Sequence, residues 1–135
     1  MFFEWKKEYE TGIEKIDIQH KVILKILNEL YRIIVEEQQV AILDEILDEL
    51  VSYTKYHFSE EERLFEQINY NNEIKHKAEH RIFFEKIQKF IERKEKGEDI
   101  VLDLVNFLAN WLIDHILVSD QGYVSFIKEN SIKLN

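Results

Sequence analysis

The chain contains five histidines, and their spacing to one another and to two carboxylates suits the binding of metal ions. Two pairs lie four residues apart, and a third pair lies five apart. In an α-helix, residues four apart differ by only about 40° around the axis, so both side chains of such a pair point the same way. The five imidazoles and two carboxylates form a possible ligand set for two metal ions. They are His20, His57, Glu61, His76, His80, His115 and Asp120.

Each candidate also has an ordinary structural interpretation. A single histidine on an apolar face, such as His20, is usually a core residue, and Glu61 lies in an acidic run that could simply be solvated. Helical phase favours the metal interpretation, because Glu61 continues the apolar face of its helix whereas Glu60 and Glu62 are expected to point elsewhere. A buried carboxylate beside buried imidazoles is costly unless a cation holds the group together. The pattern therefore predicts a metal site.

The pair His115 and Asp120 is less regular. Residues five apart differ by about 140° on an ideal α-helix, so both cannot face one ion without a local adjustment. One possibility is a π-type bulge, which is common at functional sites, and another is a distorted last turn. The third is that Asp120 is a surface residue near Gly122. The spacing alone leaves these alternatives open.

The residue types restrict the metal. The chain has no cysteine, so thiolate sites, disulfides and thiol catalysis are excluded. Imidazole together with carboxylate suits iron, zinc, copper or nickel and argues against calcium or magnesium. Within a helical bundle, two ions held by nitrogen and oxygen ligands point to iron.

The composition predicts the elements that must position these ligands. Hydrophobic residues make up 45% of the 135 residues, which is enough for one folded domain spanning residues 1–135. The chain has no proline and three glycines, so little would interrupt helices, whereas a sheet would need many turns. We expect an all-α protein.

Apolar periodicity predicts four helices after an N-terminal arm of about fifteen residues. Their expected bounds are Asp17 to Glu37, Ala41 to Ile68, Glu73 to Lys96, and from Ile100 past Asp120. Short connections between four amphipathic helices are typical of an up-down-up-down bundle. The expected inner face of the first helix carries His20, Leu24, Leu27, Tyr31 and Ile34.

Three features mark the expected helix boundaries. No glycine or proline separates the first two helices, and we place a break at residues 37–40 because a single helix there would be unusually long. Asn71 or Asn72 could cap the third helix, and Gly97 could end it.

Charge and terminal sequence exclude some classes of partner. The formal net charge of -9 would repel nucleic-acid phosphates. The N-terminus lacks a signal-peptide pattern, and no stretch approaches the roughly 20 uncharged apolar residues of a membrane span. The expectations are a cytoplasmic location and neither nucleic acid nor membrane as a partner.

Motifs along nearly the whole chain resemble bacterial hemerythrins, a family of non-haem di-iron proteins that bind oxygen. All seven candidate ligands fill ligand positions of this family. The resemblance lies in Trp5, Tyr9, Gly12-Ile13 and Ile16-Asp17-Ile18-Gln19-His20, in His57-Phe58-Ser59-Glu60-Glu61, in His76-x3-His80, and in Trp111-Leu112-Ile113-Asp114-His115-x4-Asp120-x2-Tyr123.

The resemblance implies a cofactor of two iron ions, alternating between Fe²⁺ and Fe³⁺, with a bridging oxo or hydroxo group. It assigns three histidines to one iron (His76, His80 and His115) and two to the other (His20 and His57). It makes Glu61 and Asp120 bridges between the ions. The iron with two histidines would then keep an open position for dioxygen.

The implied function is reversible oxygen binding without catalysis, for storage, delivery or buffering, by what we expect to be a monomer. Phe58, Trp111 and Leu112 match the apolar lining of the family's oxygen pocket, although core packing alone would also explain them. One alternative is oxygen, redox or iron sensing through a separate partner protein, since no signalling domain is recognisable. Another is low-level di-iron oxidase or peroxidase activity, which the histidine-rich shell disfavours because oxidising bundles use carboxylate-rich shells.

Overall fold

The structure is a computed structural model that describes residues 3–36 and 41–134, and these residues form a succession of helices. A short 3₁₀ turn at Lys7–Tyr9 lies in the N-terminal arm. The α-helices are α1 (Glu14–Val35), α2 (Ala41–Ile68), α3 (Glu73–Glu95), α4 (Val101–Asp114) and α5 (Gln121–Glu129). A π-helical segment, His115–Asp120, joins α4 directly to α5.

These elements confirm the predicted all-α four-helix bundle, in which α4, the π-helical segment and α5 together make the fourth helix. α1 packs against α2 and α4, and α2 packs against α3. The core is in two parts along the bundle. One includes Phe58 of α2 and Ile116 of the π-helical segment, and the other includes Leu64 and Tyr123 on the continuation of the same two helices.

The first helix differs from its predicted bounds, because it begins at Glu14 rather than Asp17 and ends at Val35 rather than Glu37. Asp17 does not start the helix. Its carboxylate Oδ1 instead accepts hydrogen bonds from the backbone N–H and the hydroxyl of Thr11, both at 2.8 Å. Asp17 thus fastens the N-terminal arm to the first turn of α1.

The predicted inner face of α1 was partly wrong. His20 and Leu27 are buried in the bundle as expected, but Leu24, Tyr31 and Ile34 are only partly buried. Tyr31 lies on the side of α1 that the N-terminal arm covers, where the Phe3 ring packs edge-on against it at 5.6 Å. The other residues of α1 that face the bundle core are Ile16, Gln19, Ile23, Ile26, Leu30 and Ile33.

The helix boundaries follow local backbone geometry. Gly97 has φ +90° two residues after the end of α3, which confirms its expected role at the helix end. Asn69 takes the same left-handed region, with φ 52°, after α2. Asn72 is the residue before α3, but its side chain makes no capping hydrogen bond, so the capping prediction was right in position only. The predicted break at residues 37–40 lies outside the described residues.

Within the described ranges, one helical stretch, Val101–Glu129, is long and apolar enough by length and composition to cross a membrane. This differs from the expectation that no stretch approaches such a composition. The core helix of a bundle passes the same test, and this stretch carries the buried polar residues His115 and Asp120. Its composition is therefore weak evidence for a membrane span.

Candidate metal centre

The structure brings all seven predicted ligand residues together between the two parts of the core. Four helices position them: α1 supplies His20, α2 supplies two residues, α3 supplies two, and the π-helical segment supplies the last two. None of the seven exposes more than 3% of its surface, although all carry titratable side chains. The residues from α2, α3 and the π-helical segment are His57, Glu61, His76, His80, His115 and Asp120.

The π-helical segment answers the question left open by the spacing of His115 and Asp120. Because a π-helix closes its turn with hydrogen bonds between residues five apart, its first and last residues return to the same side of the axis. His115 Nε2 lies 3.1 Å from Asp120 Oδ1. The alternative of a surface Asp120 is wrong, since this residue has no exposed surface.

The Asp120 carboxylate faces histidines on two sides. Its Oδ2 lies 2.8 Å from His20 Nε2, while its Oδ1 lies 3.2 Å from His76 Nε2 and 3.1 Å from His115 Nε2. One oxygen therefore faces the histidine of α1, and the other faces histidines of α3 and the π-helical segment. This arrangement suits a carboxylate shared by two cations.

The Glu61 carboxylate is arranged differently. Its Oε1 lies within 3.2 Å of the Nε2 atoms of His57, His80 and His115. Its Oε2 accepts a hydrogen bond from the Tyr123 hydroxyl at 3.0 Å. Glu61 thus presents a single oxygen to histidines of three helices while Tyr123 holds the other oxygen.

Several polar atoms of this cluster are buried and have no hydrogen-bond partner among the described residues. They are the Nε2 atoms of His20, His57, His76 and His80 and both carboxylate oxygens of Asp120. Leaving such atoms unpaired is costly unless a cation accepts their lone pairs. Donors about 2.1 Å from one ion and at right angles to each other lie about 3.0 Å apart, which matches the nitrogen–oxygen separations of 2.8–3.2 Å. The residues therefore fit a metal site.

Three of the five histidines are held in the neutral form, which can donate to a metal. Burial, with His57 close by, holds the pKa of His20 well below its usual value. Burial likewise lowers the pKa of His76 to about 3 and lowers that of His115. These three imidazoles are thus uncharged at neutral pH in the metal-free protein.

The two carboxylates are shifted in opposite directions. Burial raises the pKa of Asp120 well above its usual range, and the nearby charge of Glu61 adds to the effect. Burial alone would also raise the pKa of Glu61, but His57 and His115 outweigh it and hold that pKa well below the usual value. Burial keeps the Tyr123 phenol protonated by raising its pKa, so this group is a donor to Glu61.

Three further residues contact the cluster, and sequence reasoning did not assign them to it. Gln19 Oε1 accepts a hydrogen bond from His57 Nδ1 at 2.7 Å, and the hydroxyl of Tyr123 reaches Glu61. Glu62 was predicted to point elsewhere, but its Oε2 lies 3.0 Å from His80 Nδ1. Glu62 lies about 100° around α2 from Glu61, and that direction faces α3. In the sequence, the i, i+4 spacing of Phe58 and Glu62 could have indicated that these two side chains share one face of α2.

Two of the three predicted oxygen-pocket residues contact histidines of the cluster, and the third is buried. Phe58 stacks on the His80 ring at 3.8 Å, and Trp111 stacks on the His115 ring at 4.5 Å. Leu112 is 3% exposed. The apolar gap that Trp111 and Leu112 line has no room for a water molecule.

Comparison with known sequences agrees with this geometry. The family described as "Hemerythrin HHE cation binding domain" matches residues 11–127. A Pseudomonas aeruginosa (strain LESB58) "Bacteriohemerythrin" is 35% identical over 96% of this chain and 84% of its own length. A Clostridium acetobutylicum "Bacteriohemerythrin" is 36% identical over 90% of this chain and 98% of its own. These matches extend well beyond the cluster of seven residues.

Comparison with solved structures gives the same result for the fold. A crystal structure of a leucine-to-phenylalanine mutant superposes with a TM-score of 0.83 and 26% sequence identity. The match covers 91% of this chain and 95% of the other. The helical bundle and the position of its elements are therefore shared with a protein of known structure.

Proposed function

This chain belongs to the hemerythrin family, and from that premise we propose that it binds dioxygen reversibly at a centre of two non-haem iron ions. The observation that carries the proposal is the cluster of five histidines and two carboxylates, most of whose inward-facing atoms lack a hydrogen-bond partner among the described residues. Cation ligation would satisfy these buried atoms at once.

The ligand groups support two metal positions. One group of donors contains His20 and His57, and another contains His76 and His80, while His115 and Glu61 lie within reach of both groups. His115 would belong to the second position, as in the family pattern, and Glu61 and Asp120 would help to hold both ions, together with a bridging oxo or hydroxo group. When bound as Fe²⁺, the two ions supply the two electrons that reversible dioxygen binding requires.

The unequal division of histidines favours one side of the centre for dioxygen. The position formed by His20 and His57 has one nitrogen donor fewer than the other position. We therefore place the oxygen site beside His20 and His57. The lowered pKa values of His20, His76 and His115 keep these imidazoles neutral, so that they can hold the ions at neutral pH.

Apolar side chains would make the binding reversible by excluding water. Phe58 and Leu112 are 2% and 3% exposed, and Trp111 packs between the His115 ring and Phe83. A dry environment prevents proton delivery that would otherwise release reduced oxygen and leave the centre oxidised. We assign these three residues to that role.

Binding rather than catalysis is the function we propose. Oxidising di-iron bundles use Glu-x-x-His pairs in their ligand shells. The chain has one pair with this spacing, Glu73 and His76, but Glu73 forms an ion pair with Lys77 at 2.8 Å and lies outside the cluster. The residues that the structure describes therefore form a shell with more histidines than carboxylates, unlike the carboxylate-rich shell typical of oxidases.

The test is reconstitution of the protein with two equivalents of Fe²⁺ without air, followed by exposure to air and then to argon. We expect an optical absorption band that appears in air and disappears under argon through repeated cycles. Irreversible loss of the reduced form in the first cycle, with release of peroxide, would contradict the proposal and favour an oxidase or sensor.

A variant at one of the two metal positions tests where oxygen binds. His57→Ala should abolish oxygen binding, because it removes one of the two histidines at the proposed oxygen site, while circular dichroism shows the helical content unchanged. Tyr56→Ala is the control, since Tyr56 is the neighbouring residue of α2 but is 47% exposed. Full oxygen binding by His57→Ala would contradict the proposed site.

A further inference from the structure

A second i, i+4 pair on α2 faces one of the histidines of α3. The pair His57 and Glu61 points into the metal centre, and the pair Phe58 and Glu62 follows it one residue later. A shift of one residue turns the direction by about 100° on an α-helix. This second pair consequently faces the neighbouring helix α3, where it meets His80.

The two side chains contact different parts of the His80 ring. Phe58 lies parallel to the ring, with 3.8 Å between centroids and 5° between planes. Glu62 Oε2 lies 3.0 Å from Nδ1, on the edge of the ring opposite the centre. The remaining nitrogen, Nε2, faces the centre at 3.2 Å from Glu61 Oε1. Phe58 therefore restricts the His80 ring from one face, and Glu62 restricts it at the Nδ1 edge.

Glu62 differs from the groups that meet the other histidines. The Nδ1 atom of His57 faces a neutral amide, that of Gln19. The Nδ1 atoms of His20 and His115 have no partner within the described ranges. Among the hydrogen bonds of residues 3–36 and 41–134, only His80 has its Nδ1 on a carboxylate. The Glu62 side chain is also 34% exposed, so it links a buried histidine to solvent.

We propose that Glu62 is a positioning residue for the metal site: it accepts the Nδ1 hydrogen of His80 and thereby directs the Nε2 lone pair towards the metal ion. A carboxylate in this place fixes the imidazole tautomer and makes the ligating nitrogen a stronger donor. The inference rests on the proposed function only in taking His80 as a metal ligand. It does not depend on oxygen binding.

The test measures metal affinity with Zn²⁺, which needs neither oxygen nor a change of oxidation state. Zn²⁺ is titrated into the metal-free full chain in competition with a chromophoric chelator. Glu62→Ala should weaken binding about 10- to 100-fold, the range for loss of such a partner. Glu62→Gln should weaken it less, because the amide oxygen can still accept the hydrogen bond. Glu60→Ala is the matched control, since Glu60 lies in the same acidic run but pairs with Lys15 at 3.1 Å.

A spectroscopic measurement separates positioning from a general loss of structure. In the Zn²⁺-loaded protein, the His80 Nδ1 proton should give a strongly downfield NMR signal, which moves upfield in Glu62→Gln because a charge-assisted hydrogen bond becomes a neutral one. Glu60→Ala should leave this signal in place. Circular dichroism checks that each variant keeps its helices.

The outcomes distinguish this inference from the proposed function. Equal zinc affinity in Glu62→Ala and Glu60→Ala, or a signal that does not move in Glu62→Gln, would overturn the role of Glu62 whatever the iron protein does. Weaker zinc binding in Glu62→Ala, together with an iron form that fails to bind oxygen reversibly, would support the role of Glu62 and overturn the proposed function. Failure of the unaltered protein to bind zinc and iron would overturn both.

Discussion

At the scale of single residues, the chemistry of the centre depends on how each buried polar group is held. Tyr123 is fully buried, and its hydroxyl donates to the Glu61 oxygen that faces away from the histidines. Gln19 and Glu62 instead accept hydrogen bonds from the outer nitrogens of His57 and His80. Ligand orientation in this protein therefore depends on groups that do not themselves face the metal positions.

Tyr123→Phe should lower the free energy of unfolding of the metal-free protein by about 1–3 kcal/mol, because it leaves a buried carboxylate oxygen without its donor. Chemical denaturation of the metal-free variant measures this change. Tyr53→Phe is the control, since Tyr53 is only half-buried and lies outside the cluster. A loss no larger than that of the control would contradict the importance of the Tyr123 hydrogen bond.

The lowered histidine pKa values predict a stability that depends on pH. A histidine whose pKa is lower in the folded chain contributes stability that is present above its ordinary pKa of 6.5 and is lost as the pH falls through the folded value. For His76 this window extends from 6.5 down to about 3. His20 and His115 act in the same direction, whereas the raised pKa of Asp120 opposes them.

We therefore expect the melting temperature of the chelator-treated protein to fall as the pH is lowered from 7.5 to 5. Replacing one of the contributing groups, as in His76→Gln, should make this dependence shallower. A melting temperature that rises or stays constant over the same range would contradict the prediction that His20, His76 and His115 dominate the pH dependence.

At the scale of elements, the fourth helix is shaped by close contacts. Its π-helical segment turns Asp120 to the side of His115, and α5 then passes close to Tyr70, which follows α2. A Cβ atom at Gly122 would lie 2.7 Å from the Tyr70 hydroxyl oxygen. Since Tyr70 is 6% exposed and belongs to the core, its ring has little freedom to move. Glycine thus permits the close approach of α5.

Gly122→Ala should destabilise the protein, because overpacking typically costs about 1–3 kcal/mol and exceeds the roughly 1 kcal/mol that alanine gains over glycine in a helix. In a Tyr70→Phe background the hydroxyl is absent, and the same change should become neutral or stabilising. Thermal unfolding of the four proteins of this double-mutant cycle measures the difference. An equal effect of Gly122→Ala in both backgrounds would rule out the hydroxyl contact as the cause.

At the scale of the whole molecule, the metal centre lies where four helices meet, so ligand binding and bundle stability are coupled. The ligand atoms come from α1, α2, α3 and the π-helical segment, and the unfolded chain does not hold them together. An ion that binds only the folded state adds about 2.7 kcal/mol when its free concentration is 100 times its dissociation constant. Metal removal should therefore destabilise the entire bundle.

Zn²⁺ titration followed by thermal unfolding measures this coupling without oxygen chemistry. The unaltered protein should gain melting temperature with added Zn²⁺, and His57→Ala should gain less because one position has lost a ligand. Tyr56→Ala should behave like the unaltered protein. An identical gain in His57→Ala would mean that zinc is bound elsewhere on the chain.

The sequence by itself determined the helical class, three of the four helix starts to within a residue, and the ligand types. Helical composition and the absence of proline are local properties, and residues four apart on one helix share a direction whatever surrounds them. For the backbone between His115 and Asp120, the i, i+5 spacing left three alternatives: a π-type bulge, a distorted last turn, or an Asp120 at the surface. The structure shows a π-helical segment.

Only the tertiary structure decided which side chains meet across helices. The contact of Glu62 with His80, that of Gln19 with His57, and the covering of Tyr31 by Phe3 each join separate elements. Phase fixes the direction of a side chain relative to its own helix axis, but a contact also depends on how neighbouring helices are rotated and shifted. Packing of the whole core sets those quantities, and no local pattern contains them.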